Sequence, residues 1–315
     1  MDLAIETVDL TRRFGSRIAV DRLNLHVRKG AIHGFLGPNG AGKSTTIKIL
    51  AGLLRADGGE ARILGEKVGT DNPRARQRIG YMPELPKFPK YLTGRELLDL
   101  YGRMYGIGKE RLREMVPRLL GMVGLQGRED SKIGEYSKGM QQRFGLAQAL
   151  LGDPEVVILD EPTVGLDPVG MVEFRDIIRS VAGKGATVLL SSHLLYEVQQ
   201  ICGEVTIIDR GVCLASGSPQ ELSSRLGRKA TLELEVLNLT DPMVEEIRKM
   251  PSVESAARDG AKLTIRLSTT DDLRPQISRQ VSAMGGVIVS MAQTGTGLEE
   301  LFMQLVSESG KGEAR

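Results

Sequence analysis

Apolar residues alternate with polar ones, or run together in short stretches, through the first part of the chain. Between residues 23 and 27 every second position is apolar, which is typical of a strand with one buried face. Val156–Leu159 is apolar throughout and residues 187–190 are nearly so, as expected of strands buried on both faces of a parallel sheet. Residues 31–50 have the pattern of strand, glycine-rich turn and helix. Together these stretches predict an α/β fold.

A different periodicity begins further along the chain. Apolar residues recur at three- and four-residue spacing on one face over residues 97–105 and on the next over 112–123, which predicts two helices within 94–123, and a third helix is predicted over 137–151. Frequent glycines around a strand-like stretch predict a small antiparallel excursion over 58–69. We therefore expect residues 1–217 to form one α/β domain that carries an antiparallel β subdomain and a helical subdomain.

The last third of the chain has the pattern of a separate small domain. A linker is predicted over 218–229 and an α+β accessory domain over 230–315. The predicted elements are strand 230–237, helix 241–249, strands 253–258 and 261–267, helix 272–284, strand 287–292 and helix 297–306. Their βαββαβ order is that of a ferredoxin-like domain. No catalytic constellation is visible there, and support of a dimer, regulation or contact with an accessory protein would all fit.

The composition narrows the choice of partners. Lys and Arg total 42 against 40 Asp and Glu, so the basic surplus typical of a nucleic-acid binder is missing, and no nucleic-acid partner is expected. The longest apolar runs fall far below the ~20 residues that a membrane-spanning helix needs. Cys202 and Cys213 form no CxxC pair and are interpreted as small buried hydrophobic residues.

A complete phosphate loop follows the strand predicted from residue 31. It consists of Gly37, Pro38, Asn39, Gly40, Ala41, Gly42, Lys43 and Ser44, with Thr45 continuing into the helix. Glycines allow backbone N–H groups to converge on phosphate oxygens, and the helix that begins here directs its positive end at the same anion. Lys43 is expected to face solvent and to contact the β- and γ-phosphates, while the Ser44 hydroxyl can bind Mg²⁺.

Two carboxylates end the apolar strand Val156–Leu159. Because the carboxyl ends of parallel strands face the ligand crevice, Asp160 and Glu161 are expected to lie near the phosphates. Asp160 is placed to hold Mg²⁺. Glu161 is placed to act as the general base that activates the attacking water.

With these motifs in place, residues 3–217 resemble the ABC ATPase family. Residues 136–143, Tyr-Ser-Lys-Gly-Met-Gln-Gln-Arg, are similar to its signature segment, whose commoner form is Leu-Ser-Gly-Gly-Gln. The resemblance implies that Ser137 and Gly139 contact the γ-phosphate of ATP held by the other subunit of a head-to-tail dimer. Lys138 and Met140 depart from the common form and are interpreted as a subgroup variant.

The same resemblance assigns roles to further residues. Residues 164–167 resemble the D-loop of the dimer contact, and His193 matches the switch histidine that contacts the γ-phosphate. His26 and His33 match no motif and are interpreted as structural. Phe14 falls where the family has an aromatic residue that stacks on adenine, although packing into the core is an alternative for it.

The Q-loop departs from the family pattern. Glu84 stands where the family has a glutamine that contacts Mg²⁺. A carboxylate can also bind Mg²⁺, but it adds negative charge beside Asp160 and Glu161, and an exposed Glu84 that binds no metal is the alternative. After it, residues 85–92 form an apolar and proline-rich loop, which either packs on its own subdomain or contacts a partner.

These segments resemble the ATPases of ABC-2-type exporters. Within that group the chain most resembles the ATPase of the exporter that serves nitrous-oxide-reductase maturation, although drug, polysaccharide and gliding-associated relatives share the same segments. The resemblance implies an ATP- and Mg²⁺-dependent hydrolase that forms a dimer with a second copy of itself. It also implies a separate membrane permease as partner and a cytoplasmic, peripheral position at the inner face of the cell membrane. The alternative is a soluble ABC ATPase that acts in translation or DNA maintenance.

Overall fold

A computed structural model describes residues 2–69, 72–225, 231–269, 272–294 and residue 302 of the chain. The chain divides into two compact units, Met1–Gly217 and Ser218–Arg315. None of the helices within these described ranges is long and apolar enough to cross a membrane.

The strands of the first unit form two sheets. They are β1 (Leu3–Phe14), β2 (Arg17–Arg28), β3 (Ile32–Leu36), β4 (Gly58–Ile63), β5 (Glu66–Lys67), β6 (Ile79–Met82), β7 (Val156–Leu159), β8 (Thr187–Ser192), β9 (Glu204–Asp209) and β10 (Val212–Gly217). The six-stranded sheet has the order β10-β9-β3-β8-β7-β6. Its strands are parallel, except that β10 runs antiparallel to β9.

The central strands of this sheet are buried on both faces, which explains their unbroken apolar sequence. Every residue of β7 and of β8 is buried. Their carboxyl ends lie at one edge of the sheet, where the phosphate loop follows β3 and the two carboxylates follow β7. The predicted α/β fold with a parallel sheet is therefore confirmed.

The second sheet is antiparallel, with the order β2-β1-β4-β5. The predicted excursion over 58–69 corresponds to β4 and β5. Apolar residues of β1, β2 and β4 form one buried cluster with the first helix of the unit, and β7 and β8 contribute to that cluster. The antiparallel sheet is thereby packed against the phosphate-loop region.

The helices of the first unit are α1 (Lys43–Leu50), α2 (Pro73–Gln77), α3 (Gly94–Met104), α4 (Lys109–Met122), α5 (Lys138–Ala149), α6 (Pro168–Gly183) and α7 (Leu195–Ile201), with a 3-10 turn at Ile133–Glu135. The two helices predicted over 94–123 are α3 and α4, and the chain turns between them at Gly106 with a φ of 77°. A capping box between Thr93 and Glu96 begins α3, and the Ser137 side chain caps α5.

The second unit has its own core. Its elements are α8 (Pro219–Arg225), β11 (Thr231–Leu237), α9 (Asp241–Arg248), β12 (Val253–Asp259), β13 (Lys262–Leu267), α10 (Arg274–Ala283) and β14 (Val287–Thr294). The sheet has the order β12-β13-β11-β14, and all neighbours are antiparallel. Alternate residues of β11 and β13 pack against α9 and α10. Apart from residue 302, the helix predicted over 297–306 lies outside the described residues.

Candidate active site

The phosphate loop connects β3 to α1 and adopts a conformation that requires its glycines. A β-carbon at Gly37 would collide with the carbonyl oxygen of Ile208, and one at Gly42 would collide with that of Ala19. Gly42 also has a φ of 105°, which side chains other than that of glycine rarely tolerate. The backbone therefore lies against neighbouring strands and leaves its N–H side for an anion, as a phosphate cradle requires.

Lys43 is buried, so the expectation that it faces solvent is wrong. Its side chain is 5% exposed, and Nζ donates hydrogen bonds to the carbonyl oxygens of Gly37 at 2.6 Å and Pro38 at 3.2 Å. Nζ also lies 3.2 Å from Oε1 of Glu161. The loop carbonyls and a carboxylate thus surround the ammonium group, because a buried cation needs compensating oxygens.

Asp160 lies beneath the phosphate loop and contacts two hydroxyl groups. It is 2% exposed, and its Oδ1 accepts hydrogen bonds from Ser44 Oγ at 3.2 Å and from Ser191 Oγ at 2.8 Å. Burial raises the pKa of Asp160, while the hydrogen bonds from Ser191 and Ser44 act to lower it. The structure therefore brings together Ser44 and Asp160, two of the three oxygen ligands that the sequence predicts for Mg²⁺, the third being Glu84.

Sequence reasoning missed Ser191. Its Oγ both donates to Asp160 and accepts a hydrogen bond from the backbone N–H of Glu161 at 2.9 Å. The strand register could have revealed it: Leu159 pairs with Leu190 in the parallel ladder, so the residues that follow each of them adjoin.

Glu161 is held in a conformation that is unusual for a glutamate. Its φ is 47°, in the left-handed region, and it is only 6% exposed. Oε2 lies 2.8 Å from Nδ1 of His193, and the His193 backbone N–H donates to the same oxygen at 3.3 Å. The carboxylate therefore lies between Lys43 on one oxygen and His193 on the other, which brings the three predicted catalytic residues together.

A cavity of about 600 Å³ opens above these residues. Phe14, phosphate-loop residues, Glu84, Glu161, His193 and Val164 of the D-loop segment line it. Arg17 and Ala19, which no motif in the sequence indicated, line it as well. Phe14 is 48% exposed, and the Arg12 guanidinium carbon lies 4.7 Å from the ring centroid. Packing of Phe14 into the core is therefore excluded, and its ring is accessible from the cavity.

Glu84 lies at the cavity wall with an exposed side chain. Its carbonyl oxygen accepts a hydrogen bond from the Gln142 side chain at 3.3 Å, which connects the Q-loop to α5. Within the described ranges, no three His, Cys, Asp or Glu residues are grouped to hold a metal by themselves.

The signature residues do not line this cavity. Ser137 is exposed at the start of α5, where its Oγ accepts a hydrogen bond from the backbone N–H of Met140 at 3.2 Å, and Gly139 follows in the first turn. Leu166 of the D-loop lies beside Gly139, and Asp167 caps α6 by accepting from the backbone N–H of Gly170 at 2.6 Å. One copy of the chain therefore presents the phosphate loop and the signature segment as separate surfaces.

Comparison with known proteins assigns the chain to a family. The sequence model described as ABC transporter matches residues 20–164. The bacitracin transport ATP-binding protein of Bacillus licheniformis is 36% identical over 97% of this chain and 98% of its own length. The chain belongs to the ABC transporter ATP-binding family.

Two further proteins agree with that assignment. The Nod factor export ATP-binding protein I of Burkholderia pseudomallei is 32% identical over 96% of either chain. A solved structure of an ATP-binding subunit of an ABC transporter is 32% identical, covers 71% of this chain and 93% of its own, and superimposes with a TM-score of 0.66. The chain is thus an ATP-binding and ATP-hydrolysing ABC transporter subunit, and the alternative of a soluble ATPase in translation or DNA maintenance gains no support.

The loop over residues 85–92 of this ABC ATPase is divided between packing and exposure. Phe88 packs edge-on against Phe144, with ring centroids 4.9 Å apart at 86°, and Phe144 is fully buried. Leu85 and Tyr91 are 66% and 74% exposed. The aromatic ring of Phe88 therefore belongs to the helical subdomain, whereas Leu85 and Tyr91 remain on the surface.

Proposed function

We propose that this ABC ATPase drives export through a separate membrane permease. Two copies would close head to tail around two ATP molecules, and hydrolysis would reopen them. The observation that carries the hydrolytic part is the Glu161 carboxylate, which lies between Lys43 and His193 at the wall of the cavity. The separation of Ser137 and Gly139 from that cavity supports the part that concerns the dimer.

In this proposal Glu161 is the general base. The contacts of Oε2 with His193 hold the carboxylate in place, which leaves Oε1 as the oxygen that takes a proton from the attacking water. Lys43 contacts Oε1 at 3.2 Å, and we propose that it moves to the phosphates when ATP enters. Phe14 then stacks on the adenine, Gly37–Thr45 enclose the phosphates through their N–H groups, and His193 contacts the γ-phosphate.

The metal assignment rests on the oxygen atoms that the structure places together. Ser44 and Asp160 would hold Mg²⁺, with Glu84 as a further oxygen ligand at the cavity wall. Mg²⁺, when bound with ATP, offsets the negative charge of the phosphate oxygens. Ser191 donates a hydrogen bond to Oδ1 of the buried Asp160, the same oxygen that Ser44 contacts, and would orient this oxygen toward the metal.

The partner and the location follow from the family and from the exposed loop. The bacitracin and Nod factor relatives are transport and export subunits by name, and we infer that this chain likewise contacts a permease, at the cytoplasmic face of the cell membrane. Leu85 and Tyr91 are the proposed contact residues. We assign the chain to the ABC-2-type exporters from the signature variant, the Pro-Glu Q-loop and the second unit, whose antiparallel order fits the ferredoxin-like class. Within that group, we propose from the same segments the exporter that serves nitrous-oxide-reductase maturation.

Glu161→Gln separates ATP binding from hydrolysis. The amide keeps the size of the side chain but cannot accept the proton, so hydrolysis should fall about 100-fold or more while ATP still binds. The trapped nucleotide should convert monomer to dimer on a sizing column. A variant that hydrolyses ATP at the wild-type rate would remove Glu161 from its proposed role.

Ser137→Arg added to Glu161→Gln tests the head-to-tail arrangement. Arginine would fill the place of the partner's γ-phosphate, so the ATP-dependent dimer should disappear. Lys138→Arg in the same background is the matched control, because that position already carries a long cation, and the dimer should persist. Dimerisation of the Ser137→Arg double variant would contradict the arrangement.

A further inference from the structure

A second buried contact joins the segments that carry Glu161 and His193. Glu197 lies in the first turn of α7, four residues after His193, and is 8% exposed. Its Oε2 accepts a hydrogen bond from Thr163 Oγ at 2.5 Å, and Ser192 Oγ lies 3.5 Å from the same atom. Thr163, two residues after Glu161, is buried as well.

The contact is not explained by stability alone. Among the buried side-chain atoms of the described residues, Oε1 of Glu197 is one of few without a hydrogen-bond partner. A buried carboxylate with one unpartnered oxygen is costly compared with an apolar side chain of the same size. Buried polar groups without a partner occur in native proteins where a functional site needs them. We therefore expect Glu197 to hold a neighbouring part of the site in place.

The hydrogen bond between Thr163 and Glu197 connects the two segments beyond the point where strand pairing ends. The parallel ladder between β7 and β8 ends at the pair Leu159 and Leu190, so backbone pairing does not extend to the residues that follow. Beyond that pair, side chains connect the two segments. Two of these connections use groups that the reaction itself needs, Asp160 through Ser191 and Glu161 through His193. The hydrogen bond between Thr163 and Glu197 involves neither Asp160 nor Glu161.

The conformation of Glu161 needs such a restraint. A non-glycine residue with a φ of 47° persists only where the surrounding chain over-determines it. On one side, Gln142 donates a hydrogen bond to the Pro162 carbonyl at 3.0 Å and connects this segment to α5. On the other side, Thr163 connects it to α7 and thus to the segment of His193.

We propose that Glu197 is a positioning residue for ATP hydrolysis, which acts through Thr163 to hold the Glu161 segment against the His193 segment. Glu197 does not line the cavity that Lys43 and Phe14 line, so ATP affinity should be independent of Glu197. The catalytic rate depends on it, because the Glu161 carboxylate must be aligned with the attacking water. The inference rests on the proposed role of Glu161.

Glu197→Leu removes the acceptor and should lower kcat about tenfold, equivalent to about 1.4 kcal/mol, with the Kd for ATP unchanged. Glu197→Gln and Thr163→Ser keep an acceptor and a donor, and should restore most of kcat. Gln200→Leu, at an exposed position of α7, is the matched control and should behave as wild type. Melting temperatures recorded in parallel identify variants that are merely less stable.

A double-variant cycle tests the connection itself. Thr163→Val should lower kcat like Glu197→Leu, and the two together should be no worse than either alone, since both break one hydrogen bond. Losses of kcat that multiply in the double variant would overturn the proposal. So would a Glu197→Leu protein that melts earlier but keeps the wild-type kcat at low temperature. Failure of the proposed role of Glu161 is distinguishable, because Glu161→Gln would then hydrolyse ATP normally.

Discussion

Single residues of the first unit show how burial changes the chemistry of a side chain. His33 in β3 is 1% exposed, and its Nε2 lies 2.8 Å from Thr206 Oγ. Burial lowers the pKa of His33 to about 4. The interpretation of His33 as structural therefore has a consequence that can be measured, because an unfolded chain binds a proton at a pH where the native protein does not.

The stability of the first unit should depend on pH through His33. The neutral form contributes its full stability above about pH 6.5, and the contribution is lost as the pH falls toward 4, since only the unfolded state takes up the proton in that range. Between pH 7 and pH 5 the free energy of unfolding should fall by about 2 kcal/mol. Urea titrations at both pH values measure it.

His33→Gln provides the comparison for these titrations. It should lose that part of the pH dependence, whatever its stability at pH 7. If the free energy of unfolding of His33→Gln fell between pH 7 and pH 5 by as much as that of the wild type, His33 would have to be protonated in the native protein as well.

At the scale of residues, the sequence predicted the motif residues, but not which of them are buried or which other residues line the cavity. The types and spacing of Gly37, Lys43, Asp160 and Glu161 announce a phosphate site because each chemical group is needed in it. The burial of Lys43 depends on loop carbonyls that no pattern in the sequence reveals. Arg17 and Ala19 reach the cavity because β2 passes beside the phosphate loop, and strand position is a tertiary property.

Elements of the first unit were predictable where periodicity is long and uniform. Strands β7 and β8 and the helix after Ser137 follow from their sequence alone, because burial on two faces or on one stripe leaves a clear pattern. The sequence also predicted two helices over residues 94–123, and these are α3 and α4, with the turn between them at Gly106. For the loop over residues 85–92, the sequence left packing and partner contact as alternatives; the structure packs Phe88 against Phe144 and leaves Leu85 and Tyr91 exposed.

The packing of Phe88 and the exposure of Leu85 and Tyr91 determine which variants can test the permease contact. An aspartate at Phe88 would enter the packed interface with Phe144 and destabilise the helical subdomain. Leu85→Asp with Tyr91→Asp changes only exposed side chains. We expect this double variant to bind ATP normally and to lose co-purification with a membrane protein encoded nearby.

Leu53→Asp is the matched control for that experiment, since Leu53 is 60% exposed elsewhere on the first unit. It should retain the membrane protein. If the Leu85→Asp and Tyr91→Asp double variant also retained the membrane protein, this loop would be excluded as the contact. Recovery of ribosomes or DNA with the wild-type protein would count against a transporter subunit.

On the scale of the whole molecule, the two units have separate hydrophobic cores. One cluster joins the antiparallel sheet to α1 and the central strands, and the other lies between the second unit's sheet and its helices. The residues assigned to nucleotide binding all belong to Met1–Gly217. The predicted linker and the boundaries of the accessory domain remain predictions for experiment.

A chain that ends after Gly217 should fold and bind ATP. Its core is complete without the second unit, so the Kd for ATP should stay within about threefold of the full chain. Nucleotide fluorescence and thermal melting measure both properties. An insoluble fragment, or one that binds no nucleotide, would show that residues 218–315 are part of the folding unit.

The strand order of the six-stranded sheet has a consequence for how the chain is synthesised. β3 emerges from the ribosome early, yet its two neighbours, β8 and β9, are translated only near the end of the first unit. Until then its apolar edges have no partner, and contacts between such distant segments form slowly. We expect the nascent first unit to depend on chaperones over this interval, whereas the second unit, whose strands are close in sequence, can fold as soon as it emerges.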